Sequence, residues 1–145
     1  MTTHDQRGQS GGSPVIPTLR YADAPKAIEW LCEAFGFEKK LVVPGEGDVI
    51  LHAQLEFGTG MVMLGTAGVH GEFDEHVGSA SGSGGVWSIY IVVPDADAAQ
   101  ARADRAGAEI VMPVEDQDYG GRGFGCLDPE GNMWSFGTYD PWDEE

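Results

Sequence analysis

Three polar side chains alternate along one strand-like segment and are the clearest candidates for chemistry in this sequence. His52, Gln54 and Glu56 are separated by Ala53 and Leu55, so a strand would place the polar residues on one face and the apolar ones on the other. A histidine beside a carboxylate can act as a general base, contact a ligand or hold a relocated metal. The same pattern is also typical of a histidine on a solvated strand face, so a catalytic role for His52 remains open.

Arg20 and Arg122 have the side-chain chemistry to bind a ligand carboxylate through two parallel N–H donors, and nearby acids are their alternative partners. His70 and His76 lie in a Gly-rich stretch and are expected to be solvated. The sequence offers no nucleophile–base pair, no phosphate-binding glycine loop and no Cys–His arrangement. The chemistry that remains is binding or proton transfer.

The charge balance limits the possible partners. The chain has 24 acidic and 8 basic residues, for a net charge of −16. Binding to nucleic acid or to an anionic membrane needs Lys and Arg, so neither partner is expected. Long-range steering would favour a cationic ligand, although the charge serves solubility equally well. The polar N-terminus and the short apolar runs predict neither a secretory signal nor a membrane span, so a cytoplasmic location is expected.

An internal repeat organises the elements that position these residues. A strand at 15–21 precedes an amphipathic helix that starts after Asp23 and ends at Gly36, and three strands follow. The same order returns after residue 86, and Asp95 repeats Asp23 at an offset of 72 residues. Each copy therefore reads as βαβββ, which predicts an α+β fold. The predicted organisation is a disordered tail at 1–13, a first module at 14–65, a Gly/Ser-rich linker at 66–85, a second module at 86–139 and an acidic tail at 140–145.

Two stretches, Leu19–Phe37 and Asp128–Phe136, resemble the vicinal oxygen chelate superfamily of glyoxalases, bleomycin-resistance proteins and dioxygenases. His52–Leu55, Met61–Gly65 and Tyr119–Arg122 are similar to its glyoxalase-like (PhnB-like) subgroup. The resemblance implies two tandem βαβββ modules that form a curved mixed sheet with a concave cavity. It also implies a homodimer, because members often complete their cavities across subunits.

Enzymes of that superfamily hold a divalent metal with His, Glu or Gln on the first and last strands of each module. Counting from the two motifs places Ile16, Met63, Ser88 and Ser135 at those positions. These side chains supply neither carboxylate nor imidazole, so we expect no metal there and no other cofactor.

The predicted concave surface mixes apolar and polar side chains, as organic-ligand pockets do. The leading hypothesis is therefore a metal-free protein that binds or sequesters a small organic molecule, with a cationic or aromatic one favoured. The alternatives are a metal-independent or relocated-metal lyase, isomerase or dioxygenase-like enzyme that uses His52, and a protein-interaction domain. The predicted ligand-binding residues are Ile16, Thr18, Arg20, His52, Gln54, Glu56, Met63, Ser88, Tyr90, Arg122, Phe124 and Ser135.

Overall fold

The computed structural model describes residues 11–72, 74 and 87–143, and they form two βαβββ modules, as predicted. The described residues pack as two compact units, of which the second also includes Glu33–Phe35. No helix among them is long and apolar enough to cross a membrane. The elements in chain order are β1 (Thr18–Tyr21), α1 (Ala24–Phe35), β2 (Glu38–Pro44), β3 (Ile50–Phe57), β4 (Gly60–Thr66), β5 (Ser88–Val92), α2 (Ala96–Arg105), β6 (Glu109–Asp116), β7 (Arg122–Leu127) and β8 (Met133–Gly137).

Both helices begin at the predicted aspartates. The Asp23 carboxylate accepts a hydrogen bond from the Lys26 backbone N–H, and Asp95 accepts one from Ala98. Each acid thereby satisfies a donor that the first helical turn leaves unpaired. The first helix ends at Gly36, whose φ of 91° is left-handed and favours glycine.

The register of the two sheets confirms the internal repeat. Their strand orders are β1-β4-β3-β2 and β5-β8-β7-β6, with the first two strands of each order parallel. Thr18 pairs with Met63 on β4, and Tyr90 pairs with Ser135 on β8. Adding 72 to both numbers of the first pair gives the second pair, so the modules have equivalent backbone positions.

One face of the first sheet is buried and forms its core. Tyr21, Ala53 and Leu55 are fully buried, as the alternation along β3 predicts. The alternation breaks at the start of β3, where Leu51 is exposed and Ile50 is buried. The register shifts between Val43 and Pro44, where β2 pairs with β3, and such a bulge reverses the alternation locally.

The Asp128 turn of the second module explains one of the motifs behind the family resemblance. The buried Asp128 carboxylate accepts hydrogen bonds from the backbone N–H groups of Glu130 and Asn132, the Asn132 amide and the Trp134 indole N–H. A buried carboxylate needs such donors because it has lost its water. The motif therefore serves the fold by fixing the turn between β7 and β8.

The predicted linker is only partly a separate segment. Ala67 donates its backbone N–H to the Tyr21 carbonyl, and residues 70 and 74 make contacts with the first sheet. Residues 73 and 75–86 of the predicted linker lie outside the described residues, as do residues 1–10 of the predicted N-terminal tail.

Candidate functional site

Each sheet has an open face opposite its buried face, and a row of four residues crosses each one. In the first sheet, strand pairing places Leu41, Gln54, Met63 and Thr18 side by side. In the second sheet, the corresponding row is Met112, Gly125, Ser135 and Tyr90. We refer to these surfaces as the first and the second open face.

The first open face holds the polar residues predicted there. His52 and Glu56 lie on β3 on either side of Gln54, and Arg20 is two residues after Thr18 on β1. All four are partly accessible or exposed. The structure therefore brings together the predicted residues of this module, and Ile16 precedes them on the approach to β1.

His52 forms a hydrogen bond with Gln54 on this face. Its Nε2 atom is 3.1 Å from Nε2 of Gln54. Because an amide nitrogen donates, this arrangement assigns the acceptor role to Nε2 and the proton to the other ring nitrogen. The contact orients the ring without supplying the adjacent carboxylate that a general-base pair would use.

Arg20 binds a carboxylate that belongs to the protein itself. Its Nε is 3.0 Å from Oδ1 of Asp74, and its Nη1 donates to the Leu19 carbonyl at 3.1 Å. The second carboxylate oxygen of Asp74 accepts the backbone N–H of His70 at 2.9 Å. The His70 N–H, together with Arg20, holds the pKa of the Asp74 carboxyl below its usual value of 3.8, because both stabilise the charged form.

His70 packs on the first sheet, whereas the sequence predicted that it would be solvated. Its Nε2 is 2.7 Å from the Leu51 carbonyl, and its ring lies where a Cβ on Gly65 would be. Its Nδ1 is 3.6 Å from Asp74, which is too long for a hydrogen bond. Sequence reasoning missed this residue because the contact joins a loop to a distant strand, and His76 lies outside the described residues.

The second open face contains the side chains of Ser88, Tyr90 and Ser135, as predicted, but not that of Arg122. Phe124 borders the groove described below, although its ring lies on the buried face. Phe124 pairs directly with Phe136, and their rings stack 5.1 Å apart on the buried face. The prediction placed Phe124 among the ligand-binding residues of the open face, because the alternation along β7 was counted one residue out of register.

Arg122 occupies the same side as Phe124 and pairs with α2. Its guanidinium makes two hydrogen bonds to Asp97, at 2.9 and 3.2 Å, and one to Asp116 at 3.2 Å. The first of these pairs lowers the pKa of the Asp97 carboxyl. Arg122 therefore forms structural ion pairs with Asp97 and Asp116, and it does not offer its guanidinium to a ligand carboxylate on the open face.

A groove of about 160 Å³ crosses the second open face. Its floor is low at Gly123, which has no side chain, and at Ser135, which has a small one. Met112 and Tyr90 stand on either side of this floor, at the two ends of the row. The groove residues are Tyr90, Met112, Pro113, Glu115, Gln117, Tyr119, Gly123, Phe124, Ser135 and Phe136.

Tyrosines form the polar and aromatic wall of this groove. The Tyr90 hydroxyl donates to the Tyr139 carbonyl at 2.7 Å, and the ring lies over Gly137. Tyr119 packs edge-on against Tyr139, with ring centroids 5.3 Å apart, and is 61% exposed. Burial raises the pKa of Tyr90, and nearby Tyr119 and Asp140 raise it further, so its phenol stays neutral at physiological pH.

A second, wider groove lies on the first module. It has a volume of about 430 Å³ and lies between Gly12, Ile16, Lys40, Glu56 and Met61. It contains both a positive and a negative side chain, and Lys40 is 4.0 Å from Glu56. The two grooves thus differ in charge and in aromatic content.

The four family ligand positions do not fit a divalent cation. Met63 and Ser135 lie in the rows defined above. Ser88 is two residues before Tyr90 on β5, and Ile16 is two residues before Thr18, ahead of the start of β1. A thioether, two hydroxyls and an aliphatic chain provide no charged donor. Within residues 11–72, 74 and 87–143, no group of three or more His, Cys, Asp or Glu side chains could hold a metal ion.

Comparison with solved structures agrees with the two-module fold. TioX from Micromonospora sp. ML1 superposes with a TM-score of 0.72 and 33% identity, over 89% of this chain and 100% of that chain. A glyoxalase-related enzyme from Fulvimarina pelagi gives a TM-score of 0.64 at 17% identity, over 85% of each chain. At that low identity, the second similarity shows the fold alone.

Sequence comparisons identify mycobacterial relatives of this chain and a family model that matches it. The uncharacterized protein Rv0887c of Mycobacterium tuberculosis (strain ATCC 25618 / H37Rv) is 33% identical over 138 residues, which cover 92% of this chain and 81% of the relative. Mb0911c of Mycobacterium bovis (strain ATCC BAA-935 / AF2122/97) is 34% identical over 121 residues, or 83% of this chain and 80% of that protein. A family model matches residues 15–136, and the chain therefore belongs to the Glyoxalase/Bleomycin resistance protein/Dioxygenase superfamily.

Proposed function

We propose that this protein binds a small aromatic molecule with a positive charge in the groove of the second open face. The observation that supports this most is the lining of the groove, which combines exposed tyrosine rings and a methionine with one charged residue, Glu115. The proposal involves no metal at the four family positions. A protein that holds such a molecule without converting it would act by sequestration.

The exposed rings supply the aromatic contact. Tyr90 is 40% exposed and Tyr119 is 61% exposed, so a ligand ring could pack on either without first displacing the core. Aromatic pairs of this kind contribute about 0.5–1.5 kcal/mol beyond their buried area. Met112 adds a polarisable, adaptable wall on the other side of the floor.

Local and overall charge favour a cation. Glu115 lines the groove, and no Lys, Arg or His is among the described residues that line it. A cation over a tyrosine face gains about 0.5–2 kcal/mol. The net charge of −16 would also draw a cationic ligand toward the protein from a distance.

Under this proposal, only some of the predicted ligand-binding residues would touch the ligand. Tyr90 and Ser135 would touch the ligand directly, and Ser88 lies two residues before Tyr90 on the same strand. The polar residues of the first open face would belong to a separate surface. A homodimer, which the family resemblance implies, remains part of the proposal, and light scattering of the purified protein tests it. A cytoplasmic location, expected from the sequence, also remains a proposal.

A matched set of three fragments tests the proposed ligand class. Benzamidine, benzamide and benzoate share one ring but carry a positive, a neutral and a negative group. We expect benzamidine to bind most tightly, as measured by ligand-observed NMR or calorimetry. Tyr119→Ala and Glu115→Gln should each weaken its binding about two- to five-fold, the loss that one cation–π or one partly exposed ionic contact represents.

The control variant is Glu109→Gln, which removes an exposed acid on the same strand β6 but outside the groove. It should leave benzamidine affinity within about two-fold of wild type, since a distant exposed charge acts only through screened solvent. Equal binding of all three fragments, or an equal loss in the Glu109 and Glu115 variants, would contradict the proposal.

A further inference from the structure

Two exposed tyrosines at the groove of the second module form a corner between aromatic rings. The ring centroids of Tyr119 and Tyr139 are 5.3 Å apart and their planes meet at 79°, so the edge of one ring faces the other ring. The side chains are 61% and 41% exposed. We propose that this corner selects the charged group of the ligand, and that it favours a methylated ammonium over a primary ammonium. This inference rests on the proposed function, because it concerns the same groove.

Tyr90 adds a third ring, and its position is fixed by the sheet. Its hydroxyl donates to the Tyr139 carbonyl at 2.7 Å, and the hydroxyl end of the ring lies over Gly137. The hydroxyl proton is thus already used within the protein. Because Tyr90 and Tyr119 both line the groove, a charged group bound there can contact more than one aromatic ring.

Aromatic faces attract a positive charge, but they are poor substitutes for the water that surrounds N–H groups. The face of a tyrosine ring carries partial negative charge from its π-electrons, which stabilises a cation placed over it. A primary ammonium has three N–H donors, and each one that loses its water against a ring lacks an oxygen acceptor there. A quaternary ammonium has no N–H donor and keeps the attraction without this cost. Cages of aromatic side chains bind quaternary ammonium groups in this way.

The rest of the lining is compatible with N-methyl groups. Met112 and Pro113 supply apolar surface next to the tyrosines. Glu115 is the one carboxylate among the described residues that line the groove, and its side chain is exposed. Asp140 lies close enough to Tyr90 to contribute to the raised pKa of its phenol. The negative potential of these two acids attracts any cation, so the rings determine which cation is preferred.

The first module lacks these rings at the equivalent positions. At the offset of 72 residues, Tyr90 corresponds to Thr18 and Tyr139 corresponds to Ala67. Neither residue is aromatic. The preference for a methylated cation is therefore expected of the second module and not of the first.

A series of three amines that differ only in methylation tests this preference. Benzylamine, N,N-dimethylbenzylamine and benzyltrimethylammonium share one ring and each carry one positive charge at neutral pH. We expect affinity, measured by calorimetry or ligand-observed NMR, to rise with each step of methylation. Benzyltrimethylammonium should bind at least about five-fold more tightly than benzylamine, the size of one cation–π contact.

Two variants at one exposed position show whether the ring is responsible. Tyr119→Leu removes the ring and should reduce the preference for benzyltrimethylammonium to less than about two-fold. Tyr119→Phe is the matched control, because it keeps the ring and removes only the hydroxyl, and it should retain the preference. Tyr139→Leu removes the other ring of the corner and should act like Tyr119→Leu.

The outcomes separate this inference from the proposed function. Equal binding of the three amines, tightest binding of benzylamine, or a preference that survives in both leucine variants would overturn the inference. In each of those cases a benzamidine affinity above that of benzamide and benzoate would leave the proposed function standing. If none of the three amines binds, both the inference and the proposed function are wrong.

Discussion

The contact between Tyr90 and Gly137 predicts that Gly137→Ala changes the stability of the protein in opposite directions when Tyr90 is present and when it is replaced by alanine. A Cβ added at Gly137 would lie 2.6 Å from the Tyr90 hydroxyl and 3.1 Å from its ring, so the tyrosine must move if Gly137→Ala is made. Gly137 does not have a positive φ, so alanine fits the backbone itself. The substitution therefore tests whether the Tyr90 ring packs on Gly137.

The expected free energies follow from two opposing effects. Displacing the ring breaks the hydrogen bond from Tyr90 to the Tyr139 carbonyl and disturbs its packing, which costs about 1–3 kcal/mol. Replacing glycine by alanine reduces the freedom of the unfolded chain and stabilises by about 0.4–1 kcal/mol. In wild type the net result is a destabilisation of about 1 kcal/mol, within a range of about 0 to 2.6 kcal/mol. In a Tyr90→Ala background only the second effect remains, so the same change stabilises by about 0.4–1 kcal/mol.

Urea unfolding of the four proteins of this double-mutant cycle, followed by circular dichroism, measures the effect as a change in the midpoint at constant slope. The coupling energy should be at least about 1 kcal/mol. If Gly137→Ala had the same effect in both backgrounds, Tyr90 would not be seated on Gly137, and the described wall of the groove would be incorrect.

Three further predictions concern other parts of the molecule. Burial raises the pKa of the Cys126 thiol to about 12 and raises that of the less buried Cys32, so a thiol reagent at pH 8 should label Cys32 first and Cys126 only on unfolding. Asp128→Ala leaves the Trp134 indole N–H and other buried donors without their acceptor and should destabilise the protein by roughly 2–4 kcal/mol in urea unfolding. Because the folded pKa of Asp74 is depressed, its contribution to stability is present at neutral pH and is lost as pH falls through and below 3.8, so wild type and Asp74→Ala should converge in stability in acid.

Local patterns in the sequence were sufficient to predict the elements and their order. The capping aspartates, the helix-ending Gly36 and the alternation along β3 are short-range features, and each acts through its own neighbours. The 72-residue repeat then predicted two equivalent modules, and the pairing of Thr18 with Met63 and of Tyr90 with Ser135 confirms that equivalence.

The candidate site was harder to predict, because it depends on register and on distant contacts. One residue of register decides on which side of the sheet the Phe124 and Arg122 side chains lie, and β7 with its glycines gives no clear alternation. The contact of His70 with Gly65 joins a loop to a strand, and no local pattern announces it. The low floor at Ser135 likewise becomes visible only when Ser135 is aligned with Tyr90 and Met112 across the sheet.

The methionine methyl groups provide the most direct test of where a ligand binds. The chain has five methionines, of which Met112 and Met133 lie on the second open face, and Met61 and Met63 on the first module. In a methyl-labelled NMR titration with benzamidine, the Met112 and Met133 signals should shift saturably while those of Met61 and Met63 stay in place. Shifts confined to Met61 and Met63, or no saturable shift at any methionine, would contradict a cation-binding groove on the second module.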